Sequence, residues 1–501
     1  MSDQVQRQMA SGAVWMVLFK LVERSLGLVS TLILARLLSP DDFGVVAMAT
    51  SFIVMAELLS AFGFDVAIIQ NRSATPADYN TAWTCNVLLG ATITTLMLAM
   101  AAPIAEFYRK PELMWVVFAL AFGSLATGAE NIGVVAFRKE LDFRKEFKFQ
   151  VSRKFIGFIV VIPLAFWLRS YWALVVGILF SKVAGTIISY LMHPYRPQPT
   201  LERFRALFAF SRWLLLNNLV SFLKERSSDF FLGRFVGARG LGTYNVAYEL
   251  ANLPTTEISA PINRALLPGF AKIDDTARLE SAYANAVSLL ALLALPAAAT
   301  LFAVAPFVVA VLLGQKWLAA IPLMQILAFN GALLLFHSSI SSVLFARGFP
   351  ERVTLTNGCF AALLIGLLAT VFNVKPDVGV TGAAIVALTT SVLCTPLYLY
   401  QMRSCLGVSP MLFVNAVARP VLAAMAAIGV LVWLLPAYTP AMPTALTVAC
   451  LLGGSTLSVA VYAGVLALLW HLAGRPEGSG ERMVINTVRT QWVRRFGPKP
   501  V

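Results

Sequence analysis

The residues in this chain best able to do chemistry are ionisable groups set inside long apolar runs. Lys20, Glu23, Gly27 and Thr31 recur at steps of three and four. That spacing puts them on one face of a helix, with Arg24 beside the stripe. A shift of about 198 positions carries the stripe onto Asn218, Ser221, Glu225 and Asp229, with Lys224 and Arg226 close by. Further charge lies at Glu57, Asp65, Glu130, Glu257 and Arg264. An ionisable side chain in hydrocarbon costs about 3 kcal/mol or more, and such groups usually face a bundle interior or a water-filled cavity. Three uses are open to them. Cations can hold an anionic group, carboxylates can bind a coupling proton or cation, and both can serve as paired struts between helices.

Signatures of catalysis are missing. The chain has no GxxxxGK[ST] phosphate loop, no GxSxG elbow and no HExxH pair. Asp41-Asp42 resembles the acidic pair of metal-dependent glycosyltransferases. It follows Pro40 at a helix start, however, where helix capping accounts for it better. The five cysteines are scattered and never spaced as CxxC, which argues against disulfides and zinc. His193, His337 and His471 lie far apart. His337 sits in an apolar run and reads as a hydrogen-bonded structural histidine before a proton carrier. No enzyme activity, cofactor or metal is expected.

The elements that position these groups follow from composition. The 501 residues are 58% hydrophobic and 13% charged, about half the charge of soluble domains. With a mean hydropathy of +0.77, the chain is an integral membrane protein. Its net charge of +14 sits in short loops and the C-terminal tail. That placement fits membrane topology and argues against a nucleic-acid partner. A span needs roughly 20 apolar residues. That ruler gives about fourteen spans, near 11–36, 43–68, 80–104, 113–136, 151–168, 171–192, 206–232, 241–267, 284–312, 320–346, 353–373, 381–402, 411–435 and 444–471. Most Lys and Arg then fall on the side of the two ends, which places both termini in the cytoplasm. The first apolar run is long and charged, so it reads as a retained helix and not a cleaved signal.

Residues 138–154, RKELDFRKEFKFQVSRK, read as an amphipathic helix on the inner membrane surface. The proline-rich HPYRPQP (193–199) reads as an extended link. Pro254 and Pro261 predict a kink or hinge in the second span of the second half. The expected organisation is an N-lobe (1–192, helices 1–6), a cytoplasmic linker (193–205), a C-lobe (206–404, helices 7–12), two further helices (405–473) and a basic tail (474–501).

The string LARLLSPDDFGVVAMA (34–49), with its repeat behind it, resembles the Wzx-type polysaccharide exporters of the multidrug/oligosaccharidyl-lipid/polysaccharide (MOP) flippase superfamily. LGTYNVAYELANLP (241–254), ALLPGFAKIDD (265–275) and GQKWLAAIPLMQILAF (314–329) support the likeness. The resemblance implies an all-α, multi-pass fold of two pseudo-symmetric six-helix lobes plus two C-terminal helices. The duplication agrees, because six spans per unit keep both copies in one orientation. It implies an undecaprenyl-pyrophosphate-linked oligosaccharide flipped across the bacterial inner membrane by alternating access. Membrane lipids, and polymerase and export proteins of the same pathway, would be its partners. It also implies cavity cations, for which Lys20, Arg24, Lys224, Arg226 and Arg264 are the candidates. Glu23, Glu57, Asp65, Glu130, Asn218, Glu225, Asp229 and Glu257 are the candidates for a coupling ion or a polar cavity wall. A cation-coupled small-molecule exporter of the same superfamily would have an acidic cavity instead. A membrane glycan polymerase would need a large outer loop, and the outer loops here are short. A scaffold would need no buried ions in both halves.

Overall fold

Ser39 and Pro40 make the first corner of the chain. Pro40 suits the first helical position because its missing N–H is not needed there. Ser39 caps the helix reciprocally: the Asp42 N–H donates to Ser39 Oγ at 3.3 Å and the Ser39 N–H donates to Asp42 Oδ2 at 2.9 Å. The cap is therefore Ser39, and Asp42 completes the box from three residues on. Asp42 also accepts from the Tyr171 N–H at 2.8 Å, tying this corner to the turn before a later helix.

The computed structural model describes residues 3–58, 64–71, 73–271, 273, 275–475 and 480–482, with side chains except at 3–11, 13, 205–217, 256, 258–269, 271 and 276. Among these residues all regular structure is helical. The chain forms two compact units, Met1–Thr243 and Tyr244–Val501. The first contains α1 (Asp3–Leu37), α2 (Pro40–Glu57), α3 (Phe64–Gln70), α4 (Pro76–Tyr108), α5 (Leu113–Gly128), α6 (Val135–Lys139), α7 (Phe143–Leu168), α8 (Trp172–Met192) and α9 (Phe204–Phe235). α10 (Ala238–Ala271) runs from the first unit into the second, which holds α11 (Thr276–Val308), α12 (Ala320–Ala346), α13 (Pro350–Val374), α14 (Gly379–Leu406), α15 (Pro410–Leu434) and α16 (Thr444–Leu472).

Nine described helices are long and apolar enough to cross a membrane, and the bent pair Leu113–Gly128 and Ile132–Lys139, counted as one broken span, brings the number to ten. α1, α2, α9 and α10 fall outside that group, and each carries charge within its length.

In the first unit α4 packs on α5, α7 on α8 and α1, and α9 on α2, α3 and α4. Small residues set the closest approaches, as they do where helices meet without a hydrophobic driving force. Gly90 of α4 rests on the Ser124 carbonyl of α5, and Gly128 of α5 rests on the Asn86 carbonyl of α4. The start of α10 crosses α2 in the same reciprocal way: Gly44 lies against the Ala238 carbonyl and Gly242 against the Pro40 carbonyl. The 198-position repeat relates Gly44 to Gly242 and position 40 to position 238. The duplicated segments thus touch at equivalent residues.

In the second unit α11 packs on α12, α15 and α16, and α12 on α14. His337 of α12 is buried, shares a 3.0 Å hydrogen bond with Thr395 Oγ1, and stacks on Tyr398 with ring centroids 4.2 Å apart.

One expected element is corrected. The amphipathic stretch within 138–154 is not a separate surface helix, because from Phe143 onward it is the first three turns of α7. No breaker lies between Lys154 and the apolar run, so the helix continues. The break comes earlier, at Leu141, whose φ is 61°. The Asp142 side chain then caps α7 by accepting from the Lys145 N–H at 3.1 Å. Phe149 is buried with Val134 and Phe137, and Phe147 meets Trp15.

Residues 193–201 are extended, as their prolines predict, and they are strapped along α4. Tyr195 Oη donates to Asn80 Oδ1 at 2.7 Å, the Thr200 N–H to Thr84 Oγ1 at 3.0 Å, and the Arg203 N–H to Thr81 Oγ1 at 3.3 Å. His193 Nδ1 accepts from the Tyr195 N–H at 3.1 Å, so the ring acts here as a neutral acceptor. Burial holds this imidazole below its usual range, helped by Lys145 and Arg196 and opposed by Glu140. A depressed histidine contributes stability that is present above its unfolded pKa, about 6.5, and is lost on acidification. Thermal stability of the purified protein therefore falls as pH drops through about 6.5. His193→Asn, which keeps an acceptor without titrating, flattens that part of the profile. An unchanged slope in the variant would show that His193 is not the titrating group.

Candidate functional site

The described part of the first unit holds a half-open cavity of about 560 Å³. Its walls come from α2, α3, α4, α5, α7, α9 and the bend between α5 and α6. That bend, 62°, is the structural cause of the site. α5 stops at Gly128, and Asn131, fully buried, caps the next turn by accepting from the Gly133 N–H at 2.9 Å. Asn131 also binds the strap, donating from Nδ2 to the Tyr195 carbonyl at 2.8 Å. Its own N–H donates to Ser189 Oγ at 2.9 Å. With the helix broken there, Glu130 turns into the cavity.

Four charged contacts line the cavity or reach it. Glu57, at the end of α2, accepts from Lys182 Nζ of α8 at 2.6 Å and from Ser124 Oγ at 3.0 Å. Glu130 pairs with Arg153 of α7 at 3.5 Å. Asp65 of α3 pairs with Arg138 at 3.2 Å, and Arg138 also faces Glu146 at 3.8 Å. Pairing is what makes such groups tolerable in an apolar bundle, since a charge without its partner carries its full desolvation cost. Among the described lining residues, Glu57, Asp65 and Glu130 face Arg138 and Arg153, with Lys182 behind Glu57. The wall is close to neutral overall. Chemically it can trade partners: a guanidinium released from a carboxylate can take a phosphate through paired donors.

The predicted residues divide by location. Glu57, Asp65, Glu130 and Asn218 line this cavity. Lys20 and Glu23 pair at 2.8 Å, and Glu23 also binds Lys154 of α7 at 3.4 Å, so the α1 stripe turns toward α7. Arg24 is half-buried on the same helix. Asp229 is buried against α2, where it accepts from Ser51 Oγ at 3.2 Å and pairs with Arg226 at 3.2 Å. Lys224 is half-buried, while Glu225 and Glu257 are exposed. The Arg264 side chain lies outside the described residues.

Sequence reasoning missed Lys182 and did not single out Arg138 or Arg153. Lys182 is a lone lysine deep in the 21-residue helix α8, between Ser181 and Val183. That isolation was a readable signal. Arg138 and Arg153 both lie in the basic stretch that reads as a surface helix; the bend into α6 brings Arg138 to the cavity and the path of α7 brings Arg153.

An all-α, multi-span membrane protein with an ion-paired cavity inside one helical unit is the class that fold and site define. The fold is shared with solved members of the MOP superfamily. The lipid II flippase MurJ, in an inward closed conformation, superposes with a TM-score of 0.75 at 12% identity, over 91% of this chain and 99% of MurJ. An inward-facing multidrug resistance MATE family transporter of that superfamily gives 0.57 at 17% identity, over 77% of this chain and 94% of its own. The lipopolysaccharide biosynthesis protein WzxC of Escherichia coli strain K12 is 29% identical over 344 residues, 67% of this chain and 70% of WzxC. Residues 33–322 match the family described as polysaccharide biosynthesis protein. The chain belongs to that polysaccharide biosynthesis family, as the string at 34–49 implied.

Proposed function

We propose that this protein flips an undecaprenyl-pyrophosphate-linked oligosaccharide from the inner to the outer leaflet of the bacterial inner membrane, with both termini cytoplasmic. The observation that carries the reading is a polar, ion-paired cavity of about 560 Å³ in a chain of the polysaccharide biosynthesis family. A sugar needs such a hydrated, hydrogen-bonding enclosure, while its lipid tail can stay in hydrocarbon. Arg153 and Arg138 exchange their carboxylates for the pyrophosphate as the substrate enters. Lys20, Arg24, Lys224 and Arg226 serve as further cations on the first unit. Alternating access by rocking of the lobes then exposes the sugar to each side in turn. No bond is made or broken in this cycle, so the protein is a transporter and not an enzyme. Polymerase and export proteins of the pathway act on the product.

A second reading, a cation-coupled exporter of small molecules, draws on the lining carboxylates Glu57, Asp65 and Glu130. The two separate in a deletion strain. Under the flippase reading the strain accumulates lipid-linked repeat units in the inner leaflet. Wild type rescues it, and Arg153→Ala lowers export at least tenfold at equal protein level. A strain with normal export and increased sensitivity to cationic drugs would favour the second reading instead.

A further inference from the structure

A second cavity, about 370 Å³, lies between α1, α7 and α8 of the first unit. It is graded from end to end. Glu23, Arg153, Lys154, Ser181 and Lys182 line one end. α1 and α7 run on from there, and α8 returns antiparallel, so Leu34, Val161 and Leu174 line the other. Between them all three helices offer glycine: Gly27, Gly157 and Gly177. Gly157 and Gly177 are where α7 and α8 close on each other, at Ser181 and Val161. Gly27 is different. A Cβ added there would meet nothing within 4 Å, so its surface faces open space and not packing.

Two features relate this slot to the larger cavity. Arg153 lines both. Lys182 lines the slot while its partner Glu57, 2.6 Å away, lines the larger cavity. The partition between the two spaces is therefore built of two ion pairs, Arg153–Glu130 and Lys182–Glu57. At the mouth Lys154 is half exposed and shares Glu23 with Lys20. The slot lining holds three cations and one carboxylate, and each cation is paired, Arg153 with Glu130, Lys182 with Glu57 and Lys154 with Glu23, so an anionic group enters here by taking the place of a carboxylate.

We infer that the α1/α7/α8 slot binds one chain of a long isoprenyl phosphate, with the phosphate at Arg153, Lys154 and Lys182 and the chain over Gly27 toward Leu34. The volume favours one chain. At about 30 Å³ for each water-sized group, the slot holds roughly a dozen such groups, the room of one chain segment of about two five-carbon isoprene units. The rest of the chain passes into lipid. The site rests on the flippase reading only for the choice of lipid. It adds a place where the tail is held while the sugar occupies the larger cavity, with the phosphate at the shared wall.

The test is native mass spectrometry of the purified full-length protein with undecaprenyl monophosphate as probe. Gly27→Leu fills the slot, and Ser30→Leu fills it one turn further along. Each lowers probe affinity at least tenfold, whereas Gly366→Leu, on α13 and equally open, leaves it unchanged. Phosphatidylglycerol and inorganic diphosphate compete poorly. Wild-type affinity in both slot variants overturns the inference, as does equal competition by phosphatidylglycerol or displacement by diphosphate alone. These outcomes stand apart from the transport assay. A slot that binds nothing in a strain that exports normally removes the slot and keeps the flippase, and specific binding without export does the reverse.

Discussion

Replacing Gly44 by leucine removes the folded protein from detergent extracts. The reason is backbone against backbone. A Cβ at Gly44 would fall inside the Ala238 carbonyl, and one at Gly242 inside the Pro40 carbonyl. Neither obstacle is a side chain that can rotate away, so α2 and the start of α10 must separate. Ordinary overpacking costs about 1–3 kcal/mol; forcing two backbones apart costs more, because the neighbouring contacts open with them. Gly44 and Gly242 lie on helices with ordinary φ, so lost conformational freedom is not the cause. The check is yield and thermal melting of Gly44→Leu and Gly242→Leu beside Gly27→Leu. The first two fail to give a monodisperse protein, and the third melts like wild type. Normal melting of Gly44→Leu would mean that the reciprocal contact does not hold the fold.

Removing the Lys182 ammonium destabilises the first unit more than removing the whole ion pair. Lys182→Ala leaves the Glu57 carboxylate facing Ser124 with its nearest cation gone. Breaking a fully buried pair costs about 3–5 kcal/mol. Lys182 is 20% exposed and Glu57 33% exposed, so water screens part of this, and about 2 kcal/mol is expected. The double variant Glu57→Gln with Lys182→Met removes both charges at nearly constant volume and recovers most of the loss. A double-mutant cycle on melting should give a coupling of about 1 kcal/mol or more, as for residues in direct contact. Strict additivity would show that the two charges are not coupled. The same pair separates stability from transport. If the double variant melts normally but exports poorly, the charges act on the substrate; if both recover, the pair is a strut.

That distinction was already open in the sequence, and the structure bears on it residue by residue. Glu57, Asp65 and Glu130 lie along a cavity within the first unit. Each also has a cation within 3.5 Å. A binding wall and a strut are therefore the same groups in this protein, and the cavity sign does not choose between an anionic and a cationic cargo. Asp229 looked equivalent to Thr31 by the repeat, yet it is buried against Ser51. The repeat preserves helix positions better than it preserves side-chain roles, because neighbours on other helices differ between the copies. His193 shows the same limit. Its place in a proline-rich link was plain, but its role as an acceptor on the strap depends on the turn that returns Tyr195 to it.

What the residues determined alone was the all-helical, membrane-embedded class, the duplication, the corner at Ser39-Pro40 and the extended link at 193–199. These are local: hydrocarbon demands internally bonded helices of a set length, and proline acts on its own backbone. What tertiary structure decided was direction and partnership. It turned the Lys20–Glu23 stripe toward α7, carried Arg153 to the wall of two cavities, and joined Glu57 to Lys182 across 125 positions of chain. A charge buried in an apolar bundle must find a counter-charge, but which one it finds depends on how helices distant in sequence pack, and no local pattern encodes that.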